Sequence, residues 1–179
     1  MAAIEYEAKA LGIDPSDIAH RILAAGGVET TGRRLMRRYV YDTVPAVAGR
    51  WVRLRDTGDG ATLCVKQIAT DEVDGTRETE VTVGDFEEAA ELLRLAGLTP
   101  RGYQENRRTS YALGAVRLEI DEWPLIPPYL EIEGDSERAV WEAAEALGLE
   151  RAGLTSVNTT KVYHRYGIDL GAIADLRFE

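Results

Sequence analysis

Cysteine, histidine and uninterrupted apolar sequence are all scarce in this chain. One cysteine, Cys64, among 179 residues excludes an internal disulfide and any metal centre built from cysteines. With only His20 and His164, a histidine-rich site is excluded too, and any metal would fall to carboxylates. His20 lies off the apolar stripe of its helix and reads as a surface residue. No run of sequence is long and apolar enough to cross a bilayer. Met1 to Tyr6 have neither a basic nor an apolar leader region, so we expect a cytoplasmic protein. Positive charge is in deficit, with a formal net charge of −10. That argues against nucleic-acid and membrane partners, since both require a positive field. A small anionic substrate is still compatible, provided the Lys and Arg residues gather in one place.

What is present suits one domain over residues 1–179, with a core over about residues 1–166 and a tail over 167–179. The apolar fraction of 45% is ample for a core. Asp14-Pro15-Ser16-Asp17 starts a helix, with Ile18, Ala19, Ile22 and Leu23 as its apolar stripe and Gly26-Gly27 as its stop. A second helix starts at Asp85, with Phe86, Ala89, Ala90, Leu93 and Ala96 as its stripe. A third starts near Asp135-Ser136, with Val140, Ala143, Ala144 and Leu147. Period-two stretches predict strands at Glu5–Lys9, Leu35–Thr43, Trp51–Arg55, Thr62–Ile68, Glu78–Val83, Tyr103–Leu113, Val116–Asp121 and Tyr129–Gly134. Residues 155–166 read as ending in a helix. Three times a Glu-x-Glu strand precedes a helix, an internal repeat that supports an α+β design with helices packed on an antiparallel sheet.

In a strand, successive side chains point to opposite faces. The apolar faces (Ile4/Tyr6, Val52/Leu54, Leu63/Val65, Val81/Val83, Val116/Leu118/Ile120, Leu130/Ile132) are the surfaces the helices would cover. The opposite faces carry Glu5, Glu7, Glu78, Glu80, Glu119, Asp121, Glu131 and Glu133, together with Lys9, Arg53, Arg55, Lys66, Arg108 and Arg117. An open sheet with one solvated face would account for any single strand. The whole set is harder to place in solvent, because a solvated face is usually mixed with Thr, Ser, Gln and Asn. Sheet closure would concentrate these charges and call for counter-ions. Hard cations such as Mg²⁺ or Mn²⁺ suit clustered carboxylates. Arg and Lys suit phosphate oxygens, Arg as a planar fork and Lys as a point charge. Metal-binding and phosphate-gripping halves together suit a metal–polyphosphate complex.

Glu5-x-Glu7-x-Lys9, followed in order by Arg53-x-Arg55, Lys66, Glu78-x-Glu80, Arg108, Glu119/Asp121 and Glu131-x-Glu133, resembles the CYTH superfamily, or triphosphate tunnel metalloenzymes. The resemblance implies a closed antiparallel eight-stranded β-barrel with helices packed on its outside. It also implies Glu5, Glu7, Glu131 and Glu133 as metal ligands, with Glu78, Glu80, Glu119 and Asp121 as further candidates. Arg53, Arg55, Lys66, Arg108 and Arg117 would hold phosphate, and Lys9 would position phosphate or assist proton transfer. There are two departures from the family pattern. Asn106 stands where a Lys is usual, and Arg37-Arg38 stand where many relatives carry Gln and Asp. Both bear on phosphate-chain selectivity.

The resemblance implies a metal-dependent enzyme acting on tripolyphosphate, ATP or thiamine triphosphate, as a monomer or homodimer. A triphosphatase is the first reading. A class IV adenylyl cyclase is the second, with Trp51, Tyr39, Tyr41 or Trp123 lining an adenosine pocket. The third is a non-catalytic polyphosphate- or nucleotide-binding module, which would need no full metal set.

Overall fold

The computed structural model describes residues 3–179. In chain order its elements are β1 (Ala3–Leu11), α1 (Pro15–Ala24), β2 (Val28–Asp42), β3 (Arg50–Asp56), β4 (Ala61–Ile68), β5 (Thr76–Val83) and α2 (Phe86–Leu95). There follow β6 (Pro100–Leu113), β7 (Val116–Glu122), β8 (Tyr129–Gly134), α3 (Glu137–Ala146), β9 (Leu154–Thr155), α4 (Thr159–Arg165) and β10 (Asp175–Leu176). The first eight strands pair in the order β1–β8–β7–β6–β2–β3–β4–β5 and return to β1, every pair antiparallel. This is the expected closed barrel, and closure removes the exposed sheet edges of an open sheet.

Each helix begins where a side chain satisfies its free N–H groups. Asp14 accepts from Asp17 N at 2.9 Å, Asp85 from Glu88 N at 2.8 Å, Ser136 from Ala139 N at 3.3 Å and Asn158 from Lys161 N at 2.9 Å. Ile18 and Ile22 of α1 join Val140, Ala143 and Ala144 of α3 over Ala8, Leu118, Leu130 and Ile132 of the wall. Phe86 and Leu93 of α2 pack on Tyr41 and Leu54, and Phe86 stacks on Tyr39 with ring centroids 5.4 Å apart. Val162 and Tyr163 of α4, with Leu170 and Leu176 of the tail, pack on Trp123 and Tyr129 and partly close one end of the barrel.

Several expectations need correction. β2 starts at Val28 rather than Leu35, because register shifts between Glu29, Thr31 and Arg34 break the period-two pattern that marks a strand. β6 starts at Pro100. α2 reaches β4 and β5 only at Ala61, Leu63 and Val83, so Val65 (40% exposed) and Val81 (56%) further along face solvent. Leu23 and Ala96 also lie outside the buried stripes assigned to them. The tail, which the sequence left unread, forms β10 and pairs parallel to β6 at Tyr103 and Gln104. Among the described residues no helix is long and apolar enough to cross a membrane.

The uneven coat predicts uneven sensitivity. Ile132→Ala, beneath α3, should cost about 2–5 kcal/mol in urea denaturation. Val81→Ala, on the bare face, should stay within about 0.5 kcal/mol.

Candidate active site

Because the barrel is closed, the faces opposite the helices line one cavity of about 690 Å³. Strand register concentrates carboxylates on β1, β7 and β8, with Lys9 and Arg117 interleaved opposite Glu131 and Glu133, and guanidinium groups on β2 and β3. On the acidic side Glu7 lies opposite Glu133 across β1 and β8, and Glu119 lies opposite Glu131 across β7 and β8. On the basic side Arg38 lies opposite Arg55 across β2 and β3, and Arg34 lies opposite Arg108 across β2 and β6. Like charges directly opposite one another repel and weaken a sheet, so both walls favour ligands of the opposite sign.

The cations and carboxylates answer one another. Lys9 (2% exposed) has its Nζ 3.0 Å from Glu7 and 3.3 Å from Glu131. Lys66 Nζ lies 2.8 Å from both Glu5 oxygens and 3.5 Å from Glu78. Arg53 reaches Glu78 at 3.0 Å and Glu80 at 3.1 Å, Arg55 reaches Glu80 at 3.4 Å, and Arg117 pairs with Glu133. Arg108 donates to both Asp121 oxygens at 2.8 and 2.5 Å and lies 3.3 Å from Glu131 and 3.8 Å from Glu119.

Burial costs these charges dearly, and their neighbours decide which survive. Burial opposes the Lys9 ammonium, yet Glu7 and Glu131 hold its pKa above the ordinary lysine range. Burial also works against the Glu131 anion, but Lys9 and Arg108 keep its carboxyl below the usual range. Two tendencies meet at Glu5. Lys66 favours its anion, while burial and then the hydrogen bond with Glu78 push its carboxyl up to about 8. Burial resists ionisation at Glu78 as well, but Glu5, Lys66 and Arg53 hold it at about 2. The contact therefore drives the two carboxyl groups apart, Glu5 towards its neutral form and Glu78 towards its anion.

Of the predicted site residues, Glu5, Glu7, Lys9, Arg53, Arg55, Lys66, Glu78, Glu80, Arg108, Arg117, Glu119, Glu131 and Glu133 line this cavity. Asp121 stands behind them with no exposure, its carboxylate taken by Arg108 and by Asn106 Nδ2 at 2.8 Å. Sequence reading missed Arg34 and named Arg38 only as a departure from the family pattern, and both line the cavity. Their signal was the continued alternation Arg34, Met36, Arg38, Val40, Asp42 along β2. Of the four aromatics considered for an adenosine pocket, Trp51 and Trp123 line the cavity, whereas Tyr39 and Tyr41 face outward onto α2. Among the described residues, the three metal-type ligand atoms within 4.8 Å of one another belong to Cys64, Glu78 and Glu80. Burial pushes that thiol up to about 12, so it stays neutral and is a poor ligand.

The sequence profile of the CYTH domain matches residues 3–163. The chain belongs to the CYTH domain family. No curated protein matches the sequence. Among solved structures, a Pyrococcus horikoshii protein is 22% identical with a TM-score of 0.75, over 87% of this chain and 96% of that one. A candidate adenylate cyclase from Vibrio parahaemolyticus is 13% identical with a TM-score of 0.77, over 92% and 99%. A Hippeastrum protein, a candidate adenylyl cyclase described as having a dominant triphosphatase activity, is 16% identical with a TM-score of 0.61, over 93% and 96%. At these identities the likeness concerns the CYTH barrel itself.

The opposite shifts of Glu5 and Glu78 make stability depend on pH. Glu5 is raised from 4.5 to about 8, so the folded state binds the extra proton between those values and is stabilised as pH falls from 8 towards 5. Glu78 is lowered from 4.5 to about 2, so its contribution is present above 4.5 and lost as pH falls through about 2. In chelator, scanning calorimetry of the CYTH protein should show stability rising from pH 8 to 5. Glu5→Gln should flatten that rise.

Proposed function

We propose that the protein is a divalent-metal-dependent hydrolase that removes the terminal phosphate of inorganic tripolyphosphate or of an organic triphosphate. The register of like charges carries this reading: an enclosed carboxylate wall facing a guanidinium wall accepts a cation and a polyanion together. Donor chemistry fits Mg²⁺ or Mn²⁺, because the acidic wall offers carboxylate oxygens and the one thiol nearby is neutral. Glu5, Glu7, Glu131 and Glu133 would hold the metal, with Glu78, Glu80 and Glu119 beside them. Bound there, the metal neutralises phosphate charge and polarises the phosphorus under attack.

The protein's own groups do the rest. Arg53, Arg55, Lys66, Arg108 and Arg117 meet the phosphate oxygens and stabilise charge on the group in transfer, where preorganised donors are most effective. We assign Asp121 the task of fixing the Arg108 fork, since both its oxygens are already engaged. Lys9 is held between Glu7 and Glu131, which places a permanent positive charge beside the metal-binding glutamates and next to incoming phosphate. A carboxylate of the acidic wall orients the attacking water. We place the enzyme in the cytoplasm, with a triphosphate as its small-molecule partner.

A cyclase reading has one observation of its own. Trp51 and the apolar residues Ala46, Val47 and Ala48 line the cavity near the β2–β3 loop, where an adenosine would find apolar surface. The names of the Vibrio and Hippeastrum proteins pair the two activities on this fold, and fold alone does not choose between them.

Purified protein with Mg²⁺ or Mn²⁺ should release phosphate from tripolyphosphate, ATP or thiamine triphosphate. Cyclic AMP with pyrophosphate from ATP would favour the cyclase, and binding without turnover would favour the sensing module. Glu7→Gln should lower metal-dependent turnover by about 100-fold or more with an unchanged circular dichroism spectrum. Full activity in that variant would refute the metal assignment.

A further inference from the structure

Arg38 is the buried cation that the ion-pair network leaves out. It is 7% exposed, projects into the cavity from β2 and faces Arg55 across the β2–β3 ladder. Lys9, Arg53, Arg55, Lys66, Arg108 and Arg117 each have a carboxylate within 4.0 Å. Among the described residues Arg38 has none. Its Nη2 donates to Asn106 Oδ1, its guanidinium lies 4.6 Å over the Trp123 ring, and its buried Nε has no hydrogen-bond partner. Burial, followed by repulsion from Arg53, Arg55 and Arg108, lowers its pKa well below the guanidinium value.

A guanidinium kept only for packing on Trp123 would be a poor choice, since an apolar side chain of similar volume fills such a place without a desolvation cost. The Asn106 amide is itself tied to Asp121 at 2.8 Å, so the guanidinium is aimed into the cavity with its Nε free. What Arg38 lacks is an anion. The buried Nε atoms of Arg53 and Arg55 are also without partners, and the side chains of all three arginines line the same cavity.

We propose that Arg38 is a substrate-binding residue that donates to phosphoryl oxygens of the polyphosphate anion, from the strand opposite Arg55. This rests on the triphosphate reading of the cavity and adds to it a phosphate contact from β2. It also gives Asn106 a role as the neutral group that steers Arg38 without competing for the anion.

The test is calorimetric titration of the full chain with imidotriphosphate, the nitrogen-bridged analogue of tripolyphosphate, in Mg²⁺. Arg38→Met should weaken binding by about 10-fold or more, the range for a hydrogen bond to a charged group. It should leave binding of Mn²⁺ alone unchanged, and the melting temperature of the anion-free protein should be no lower, since an unpaired buried cation has been removed. Asn106→Lys in the Arg38→Met background should recover most of the affinity, because an ammonium from position 106 reaches the place Arg38 vacates. A role in packing would show no such rescue. Arg38→Met affinity within about twofold of the unsubstituted protein would overturn the inference. So would a loss that Asn106→Lys fails to restore, or a lowered melting temperature with unchanged affinity. If the unsubstituted protein fails to bind the analogue, the triphosphate reading falls and takes this inference with it. If it binds and Arg38→Met binds equally well, only this inference falls.

Discussion

Repulsion between like charges held opposite one another across adjacent strands is the constraint on which this molecule turns. Glu7 against Glu133, Glu119 against Glu131, Arg38 against Arg55 and Arg34 against Arg108 are pairings that an ordinary sheet avoids. They persist because the barrel is closed. Each strand is locked by two ladders, and no free edge exists along which the register could slip to relieve the strain. The strain is eased by cations interleaved along the same walls, where Lys9, Arg108 and Arg117 pair with carboxylates on the neighbouring strand and Lys66 and Arg53 reach Glu5 and Glu78. Such contacts offset the cost of burying charge without removing it.

The helices serve that constraint from outside. α1 and α3 clamp the β1–β8–β7 wall through a core of Ala8, Leu118, Leu130 and Ile132, which backs the strands bearing Glu7, Glu119, Glu131 and Glu133. α2 does the same behind Leu54 and Tyr41, on the strands bearing Arg53, Arg55 and Arg38. The two walls with the most repulsive registers are therefore the two with an apolar buttress. β4 and β5 meet α2 only at Ala61, Leu63 and Val83 and otherwise rely on their ladders. Their inward charges face no like charge: Lys66 lies opposite Glu78 and Glu80 opposite Cys64.

Buried charges of both signs are costly to hold. A metal ion on the carboxylates would compete with their lysines and arginines and would leave those cations open to an anion. Preorganised charge of this kind would suit a phosphoryl-transfer site, where most of the work is positioning and charge stabilisation. Asp121 shows the division of labour. It lies on the same face as Glu119, yet its depth and its two arginine contacts make it a brace for Arg108.

Much of this was written in the chain. Period-two alternation in Glu5–Lys9, Trp51–Arg55 and Tyr129–Gly134 sent the charges one way and the apolar residues the other, because a strand has no other way to arrange them. Helix starts at Asp14, Asp85 and Ser136 were legible because capping is a local hydrogen bond. Residues 28–34 were not legible, since bulges erase the alternation that identifies a strand. Nor could the sequence separate Asp121 from Glu119, because alternation gives the face and not the depth. Local chemistry, then, determined which side chains turn inward. Tertiary structure alone decided which of them face one another, because strand register and barrel closure are set by contacts between residues far apart in the chain, and that choice placed Glu7 against Glu133 and left Arg38 without a carboxylate.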